Sequence, residues 1–260
     1  MKQSQLKPTV LAFSGLDPTG SAGLQADIES IAAQGAHAIP ILTCVTVQDT
    51  SDVFDIEPIK SDFIYRMAKK VMADIPIDAV KIGLLPNYET VEIIIGILEK
   101  NLSENISVVI DPIIKSSAGT PLCDKKTIEA MFQMFRFASL VTPNTIEAKE
   151  LGNNNDIDCC AKKILETGAS SVLITGTHEQ KSTIQHKLYT QDQMKLFKYK
   201  RLNKEFHGSG CTLAAAAAAQ LSKGEDITNA VEKSLDYTWN ALNQGLALGR
   251  GQLTPVRISK

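Results

Sequence analysis

Six short apolar runs punctuate the chain: TVLAFSG (9–15), AIPILTCVTVQ (38–48), AVKIGLL (79–85), SVVIDP (107–112), SLVTPN (139–144) and SSVLITG (170–176). They read as strands buried in a parallel sheet. Between them lie amphipathic stretches such as NYETVEIIIGILEKN (87–101) and DKKTIEAMFQMFRFA (124–138), long enough to be the crossover helices of βαβ units. That alternation predicts a three-layer α/β/α sandwich with a mostly parallel central sheet. The rhythm then changes. TIQHKLYTQDQMKLFKYKRLN (183–203) alternates around a polar turn and predicts an antiparallel hairpin at the sheet edge. Two helices follow, roughly 210–223 and 227–245, and the six alanines 214–219 suit a helix packed closely on the sheet.

At 260 residues an α/β chain of this kind is expected to form one domain, residues 1–260. The 27 Lys+Arg against 29 Asp+Glu argue against a general nucleic-acid binder. No run approaches eighteen uncharged apolar residues and the N-terminus lacks a signal pattern, so no membrane association and a cytoplasmic location are expected. Five cysteines, an odd number without metal-ligand spacing, point away from a disulfide framework or a zinc site.

Ligands of open α/β sheets bind beyond the carboxyl ends of the strands. Here the runs close on Gly15, Gln48, Gly83, Asp111, Asn144 and Gly176, a whole edge of small or polar residues that reads as a site. GLDPTGSAGLQAD (15–27) begins like a phosphate-binding loop, but Ser21 and Ala22 follow Gly20 where lysine and a hydroxyl residue are needed. Asp27, one helical turn further on, is explained equally by the positive end of its helix. Asn144 and Glu147 have the spacing of an N-cap and its N3 partner, which needs no chemistry. Asp111 before Pro112 is likewise an ordinary strand stop.

Gly208, Ser209, Gly210 and Cys211 differ from these. Backbone N–H groups of a tight loop and of a helix N-terminus converge there, a ready site for an anion. The helix end is expected to lower the Cys211 pKa and favour its thiolate.

Together SGLDPTGSAGLQAD, TVQDT, DIPIDAVKIGLL, VVIDPII, VTPNTIEAKEL, HGSGCTLAAA and LGRGQLTP resemble the hydroxymethylpyrimidine/phosphomethylpyrimidine kinases of thiamine biosynthesis, a branch of the ribokinase superfamily, nearly end to end. Most sugar kinases of that superfamily carry aspartate where Cys211 stands. The resemblance implies the ribokinase-like sandwich, phosphoryl transfer from ATP with Mg²⁺ to a pyrimidine and then to its monophosphate, and a homodimer. It also implies roles. Gly15, Asp27 and Gln48 would line the pyrimidine pocket, with Leu84 and Ile113 as apolar walls. Asp111 and Glu147 would organise magnesium through water, and Asn144 would face the ATP phosphates. Gly208, Ser209 and Gly210 would hold the transferring phosphoryl group beside the catalytic Cys211.

The chain departs from the family where TGTH (175–178) replaces lysine-glycine-glycine-histidine, so Thr175 brings no charge to the phosphates. Lys115 is the candidate to compensate. Two alternatives stand beside the pyrimidine kinase: a pyridoxal kinase of the same superfamily, and a pyrimidine-binding protein that has lost catalysis.

Overall fold

The computed structural model describes residues 7–101, 106–176 and 182–258. Its elements in chain order are β1 (Thr9–Leu16), α1 (Gly23–Ala33), β2 (His37–Gln48), β3 (Val53–Pro58), α2 (Ser61–Met72), β4 (Ala79–Ile82), α3 (Tyr88–Asn101), β5 (Ser107–Ile110) and α4 (Lys125–Met134). Then come β6 (Leu140–Val141), α5 (Thr145–Gly152), α6 (Ile157–Leu165), β7 (Ser171–Thr175), β8 (Thr183–Thr190), β9 (Met194–Lys200), α7 (Ser209–Leu221) and α8 (Ile227–Asn243). The strands form one sheet in the order β3-β2-β1-β4-β5-β6-β7-β8-β9. From β2 to β7 neighbouring strands are parallel, while β3 and the β8–β9 hairpin run antiparallel at the two edges.

The strand period of two sorts side chains between two cores. Leu11 and Phe13 of β1 face one layer, with Ile64 of α2, Val91 and Ile94 of α3, Met131 of α4 and Ile164 of α6. Val10 and Ala12 face the other, with Leu24 of α1, Val231 of α8 and the alanines of α7. Ala214 to Ala219 are all fully buried, and α7 packs on α1, α8 and the central strands at once. A helix enclosed on every side cannot be amphipathic, and methyl side chains let its backbone approach the sheet closely.

Three features differ from the sequence expectation. The second half of β2 leaves the buried sheet: Cys44 to Gln48 pair with β3, an edge strand the apolar runs do not announce, and Val47 and Phe54 are exposed there. The 139–144 run forms a continuous ladder only at Leu140 and Val141, because Pro143 has no N–H to extend it, and Asn144 then meets Thr175 through an isolated bridge. The helix of 124–138 ends at Met134 and continues as a 3₁₀ turn over Phe135–Phe137. The sandwich, the parallel centre and the antiparallel hairpin are as expected.

Candidate active site

The carboxyl ends of β1, β2, β4, β5, β6 and β7 open onto one cavity of about 760 Å³. Gly15, Gln48, Leu84, Asp111, Ile113, Lys115, Asn144, Glu147, Thr175 and the stretch Gly208 to Cys211 all line it. One end is apolar. Leu84 packs with Cys44, Val53 and Leu122, with Ile113 against them, and the Thr43 hydroxyl fixes the chain there by donating to the Leu84 carbonyl at 2.7 Å. Gln48 and Thr46 bring the polar groups to this end.

At the middle, two helix N-termini converge without side-chain caps. The N-cap of α7 is Gly208 and that of α1 is Ala22, and neither supplies a capping side chain. In α4, α5, α6 and α8 an Asp or Asn accepts from those first N–H groups instead. The Gly23 N–H that opens α1 donates to Cys211, no side chain caps the remaining first-turn N–H groups of α1 and α7, and both helix dipoles favour an anion. Gly208 has φ 87°, and any side chain on it would run into the Ser21 carbonyl oxygen. The tight junction between the two helix starts needs glycine. Arg257 completes that junction from the C-terminal segment, with its guanidinium donating to the Ser21 carbonyl and, at 2.9 Å, to Thr212 Oγ1.

The loop that resembles a phosphate-binding loop uses its own donors internally. Asp17 Oδ1 accepts from the Thr19 N–H at 2.7 Å, and Oδ2 accepts from the Thr19 hydroxyl at 2.9 Å and the Ala22 N–H at 2.8 Å. His207 Nε2 lies 3.1 Å from the same Oδ2. Burial opposes the Asp17 charge, yet the hydrogen bonds from His207 and Thr19 hold its carboxyl down at about 2. Asp17 thereby ties the β1–α1 loop to the segment leading into α7.

Behind the helix N-termini lies a buried charge cluster. Lys81 Nζ is 2.8 Å from Asp27 Oδ1, and both side chains are fully buried. Burial disfavours the ammonium, but Asp27, Cys211 and Asp111 beside it keep Lys81 charged, above the ordinary lysine range. Asp27 is accordingly not a pocket residue: its carboxylate is the counter-ion of Lys81 and forms no part of the cavity wall. The expectation for Cys211 is also corrected. Burial pushes its thiol up to about 12, against the lowering by Lys81 and the Gly23 N–H, with Asp111 and Asp27 adding to the rise. The group at the α7 N-terminus is a thiol in the free protein, and it donates to Asp111.

Burial pushes Asp111 up to about 6, with Asp27 adding to the rise and Lys81 opposing it. Glu147 rises to about 8, first through burial and then through Asp111. The capping box at Asn144 and Glu147 is real: Asn144 Oδ1 accepts from the Glu147 N–H at 2.9 Å, and Glu147 Oε2 accepts from the Asn144 N–H at 2.9 Å. Capping leaves Glu147 Oε1 outside the reciprocal pair, and Asp111 Oδ2 is buried with no hydrogen-bond partner among the described residues. A side chain at Gly210 would begin 3.7 Å from both Asp111 oxygens, so the nest and the carboxylate face each other.

Two carboxylates raised chiefly by burial, beside an anion nest, suit a hydrated divalent cation shared with ligand phosphates. No group of three metal-ligating His, Cys, Asp or Glu side chains occurs among the described residues. Lys115 lines the cavity but is held by Glu150, Nζ to Oε2 at 2.7 Å. Thr175 sits beside Asn144 through an isolated parallel bridge, while Thr177 and His178 lie outside the described residues.

Residues missed by the sequence reading are Lys81, His207 and Arg257. Lys81 had a signal, a lone charge inside the apolar run AVKIGLL. No helix among the described residues is long and apolar enough to cross a membrane.

A sequence model of the family described as phosphomethylpyrimidine kinase matches residues 17–257. The hydroxymethylpyrimidine/phosphomethylpyrimidine kinase of Aquifex aeolicus is 31% identical over 93% of this chain and 96% of its own. Among solved structures, a phosphomethylpyrimidine kinase of Clostridium difficile is similar with TM-score 0.79 and 29% identity, over 90% of this chain and 99% of that one. An ADP complex of Bacillus subtilis pyridoxal kinase is similar with TM-score 0.87 and 26% identity, over 96% of this chain and 97% of that one. With a family match spanning most of its length and a similar overall fold in a solved member, the chain belongs to the phosphomethylpyrimidine kinase family.

Proposed function

We propose that the protein transfers the γ-phosphoryl group of ATP to the hydroxymethyl group of 4-amino-5-hydroxymethyl-2-methylpyrimidine, and then a second phosphoryl group to the resulting monophosphate. The observation that carries this reading is the pair of uncapped helix N-termini, α1 and α7, meeting at one cavity beside Cys211, Asp111 and Glu147. Phosphoryl transfer through a loose transition state asks mainly for positioning and charge neutralisation. N–H groups of Gly208, Ser209 and Gly210 receive the phosphoryl oxygens, and Gln48 reads the donor and acceptor edge of the pyrimidine between Gly15, Leu84 and Ile113. Asn144 faces the phosphates of ATP.

Asp111 and Glu147 would hold magnesium through water, where the ion would neutralise charge on the phosphates. Cys211 sits at the start of α7 against Asp111 and orients the attacking hydroxyl. Its thiol is protonated in the free protein, so it acts as a base only once the charges around it have changed. The monophosphate needs no such base, because a phosphate monoester with second pKa about 6 is already largely dianionic at neutral pH. One site thus serves both steps.

The likeness to a pyridoxal kinase supports a second reading, in which pyridoxal is the acceptor. ATP consumption measured with Mg²⁺ and hydroxymethylpyrimidine, its monophosphate or pyridoxal separates them. Turnover of both pyrimidines, sharply reduced in Cys211→Ala, is expected. Turnover of pyridoxal alone would reverse the assignment, and tight pyrimidine binding without ATP consumption would leave a binding protein.

A further inference from the structure

The segment after α8 doubles back, Leu246 and Thr254 each accepting the other's N–H at 2.9 Å, and then inserts Arg257 beneath the junction of α1 and α7. The Arg257 side chain is fully buried, so it acts on a ligand only through the groups it holds. Its Nε donates to Thr212 Oγ1 at 2.9 Å. Nη1 donates to the Gly20 carbonyl at 3.3 Å and to Glu29 Oε2 at 3.2 Å, and Nη2 donates to the Ser21 carbonyl. One planar fork thereby bridges the loop that opens α1 and the first turn of α7.

The bond to Thr212 reaches the nest. A hydroxyl has a single proton, and with Arg257 donating into Thr212 Oγ1 that proton is left for the Gly208 carbonyl, 2.7 Å away. The same carbonyl accepts the Thr212 N–H at 3.0 Å. In a planar trans peptide the carbonyl and the N–H that follows it point in opposite directions. Holding the Gly208 carbonyl from within the helix therefore turns the Ser209 N–H out of the helix start, where Ser209 lines the cavity. The next peptide link in the junction is gripped on both sides: Arg257 holds the Ser21 carbonyl, and Asp17 Oδ2 accepts the Ala22 N–H at 2.8 Å. A side chain on Gly208 would begin 2.9 Å from Nη2, so the guanidinium lies against the nest backbone itself.

Attachment of the segment does not require the guanidinium. The Tyr237 hydroxyl donates to the Arg257 carbonyl at 2.9 Å, the Val256 N–H to the Ala241 carbonyl at 3.0 Å, and the Ser21 and Thr254 hydroxyls pair at 2.6 Å. A buried charge is also weak evidence of stabilisation, because apolar residues of similar volume often serve as well. We propose that Arg257 is a positioning residue for phosphoryl transfer, fixing through Thr212 and the Ser21 carbonyl the direction in which the α7 N-terminus presents its N–H groups. This rests on the reading of Gly208 to Gly210 as the place of the transferring phosphoryl group.

The test measures kcat and KM with Mg²⁺, ATP and hydroxymethylpyrimidine, and Tm, in wild type, Arg257→Gln, Arg257→Lys, Thr212→Val and Tyr237→Phe. Arg257→Gln and Arg257→Lys should lower kcat by about tenfold or more, as misplacing one aimed donor does, with the KM of the pyrimidine at the Gln48 end unchanged. Lysine keeps the charge and loses the fork. Thr212→Val keeps the side-chain shape, should lower kcat less, and should add nothing to Arg257→Gln in the double variant. It carries the test where Arg257→Gln does not fold. Tyr237→Phe loosens the same segment and spares the guanidinium, so its Tm should fall with kcat kept. Full turnover in both Arg257→Lys and Thr212→Val, or a loss of kcat that simply follows Tm through all the variants, overturns the proposal.

Calorimetry of ADP and of β,γ-methylene-ATP, each with Mg²⁺, needs no acceptor. The Arg257 variants should weaken the analogue, whose terminal phosphoryl reaches the nest, and leave ADP unchanged. That contrast in a protein that phosphorylates none of the acceptors keeps the positioning role and removes the kinase reading. Equal changes in the two affinities overturn the positioning role, and a wild type that binds neither nucleotide overturns both.

Discussion

Lys81 and Asp27 meet as a fully buried ion pair at 2.8 Å, the one bringing its charge from the middle of β4 and the other from the second turn of α1. The pair sits directly behind the α7 N-terminus, and its ammonium is the nearby positive charge facing Asp111 and Cys211 from within the sheet. Removing one partner leaves the other charge buried and alone, which costs about 3–5 kcal/mol, whereas replacing both with apolar residues of similar volume is often close to neutral. Lys81→Met should therefore lower unfolding stability by about that amount, and Lys81→Met with Asp27→Leu should recover most of it. Urea unfolding of the four proteins measures this. A double variant as unstable as the sum of the two singles would show that the ion pair is not the link between them.

Gly208 offers a sharper test of the helix junction. Its φ of 87° alone makes a side chain cost about 1–2 kcal/mol, and a methyl group there would also meet the Ser21 carbonyl oxygen and the Arg257 guanidinium. Gly224 has φ 82° with open space within 4 Å of where a side chain would begin, so Gly224→Ala carries the backbone cost only. Gly208→Ala should be the more destabilising of the two by thermal unfolding and should also lower kcat, because the nest moves with the junction. Equal losses in stability, with turnover intact, would mean the collision relaxes freely.

The local patterns that were legible in the sequence are those whose cause is local. A parallel strand buried on both faces has to be a continuous apolar run, and the Gly-Ser-Gly-Cys stretch has to be a tight turn into a helix whatever surrounds it. What failed depended on distant partners. Asp27 looked like a pocket residue because its counter-ion lies 54 residues away, and only the fold brings β4 behind α1. The helix dipole at Cys211 was a correct local argument, but full burial overrules it. The loop of 15–22 kept its glycines yet turned its donors onto Asp17, which no spacing rule reveals.

Glu147 gives the protein a stability that depends on pH with a definite sign. Its carboxyl titrates near the ordinary value of 4.5 in the unfolded chain and at about 8 in the fold, so the folded state binds more protons between those limits. Stability of the ligand-free protein falls as pH rises through that window, and the loss is complete above it. Glu147→Gln keeps an acceptor for the Asn144 N–H and removes the titration. The variant should gain several degrees in Tm relative to wild type at pH 8.5 and little at pH 5. Added Mg²⁺ with nucleotide should narrow the gap at pH 8.5 by stabilising wild type more. A Tm difference independent of pH would show that Glu147 is ionised throughout.

The role proposed for Cys211 predicts different effects on the two phosphorylations. The first acceptor is a hydroxyl whose proton has to leave, a requirement for which a positioned base contributes about 10²–10⁴-fold. The second acceptor is a phosphate oxygen that already carries charge at neutral pH, so the same side chain has only an orienting part to play. Cys211→Ala should therefore lower kcat for hydroxymethylpyrimidine far more than for its monophosphate, with little change in the KM of either. Cys211→Ser should behave like Ala in the first step, since a hydroxyl in the same buried place gives up its proton far less readily than a thiol. The measurement is steady-state turnover of the two acceptors in separate assays at pH 7.5. Equal losses in both steps would move Cys211 from proton acceptance to holding the phosphoryl group beside Gly210, a role in which its position at the α7 N-terminus matters and its acidity does not.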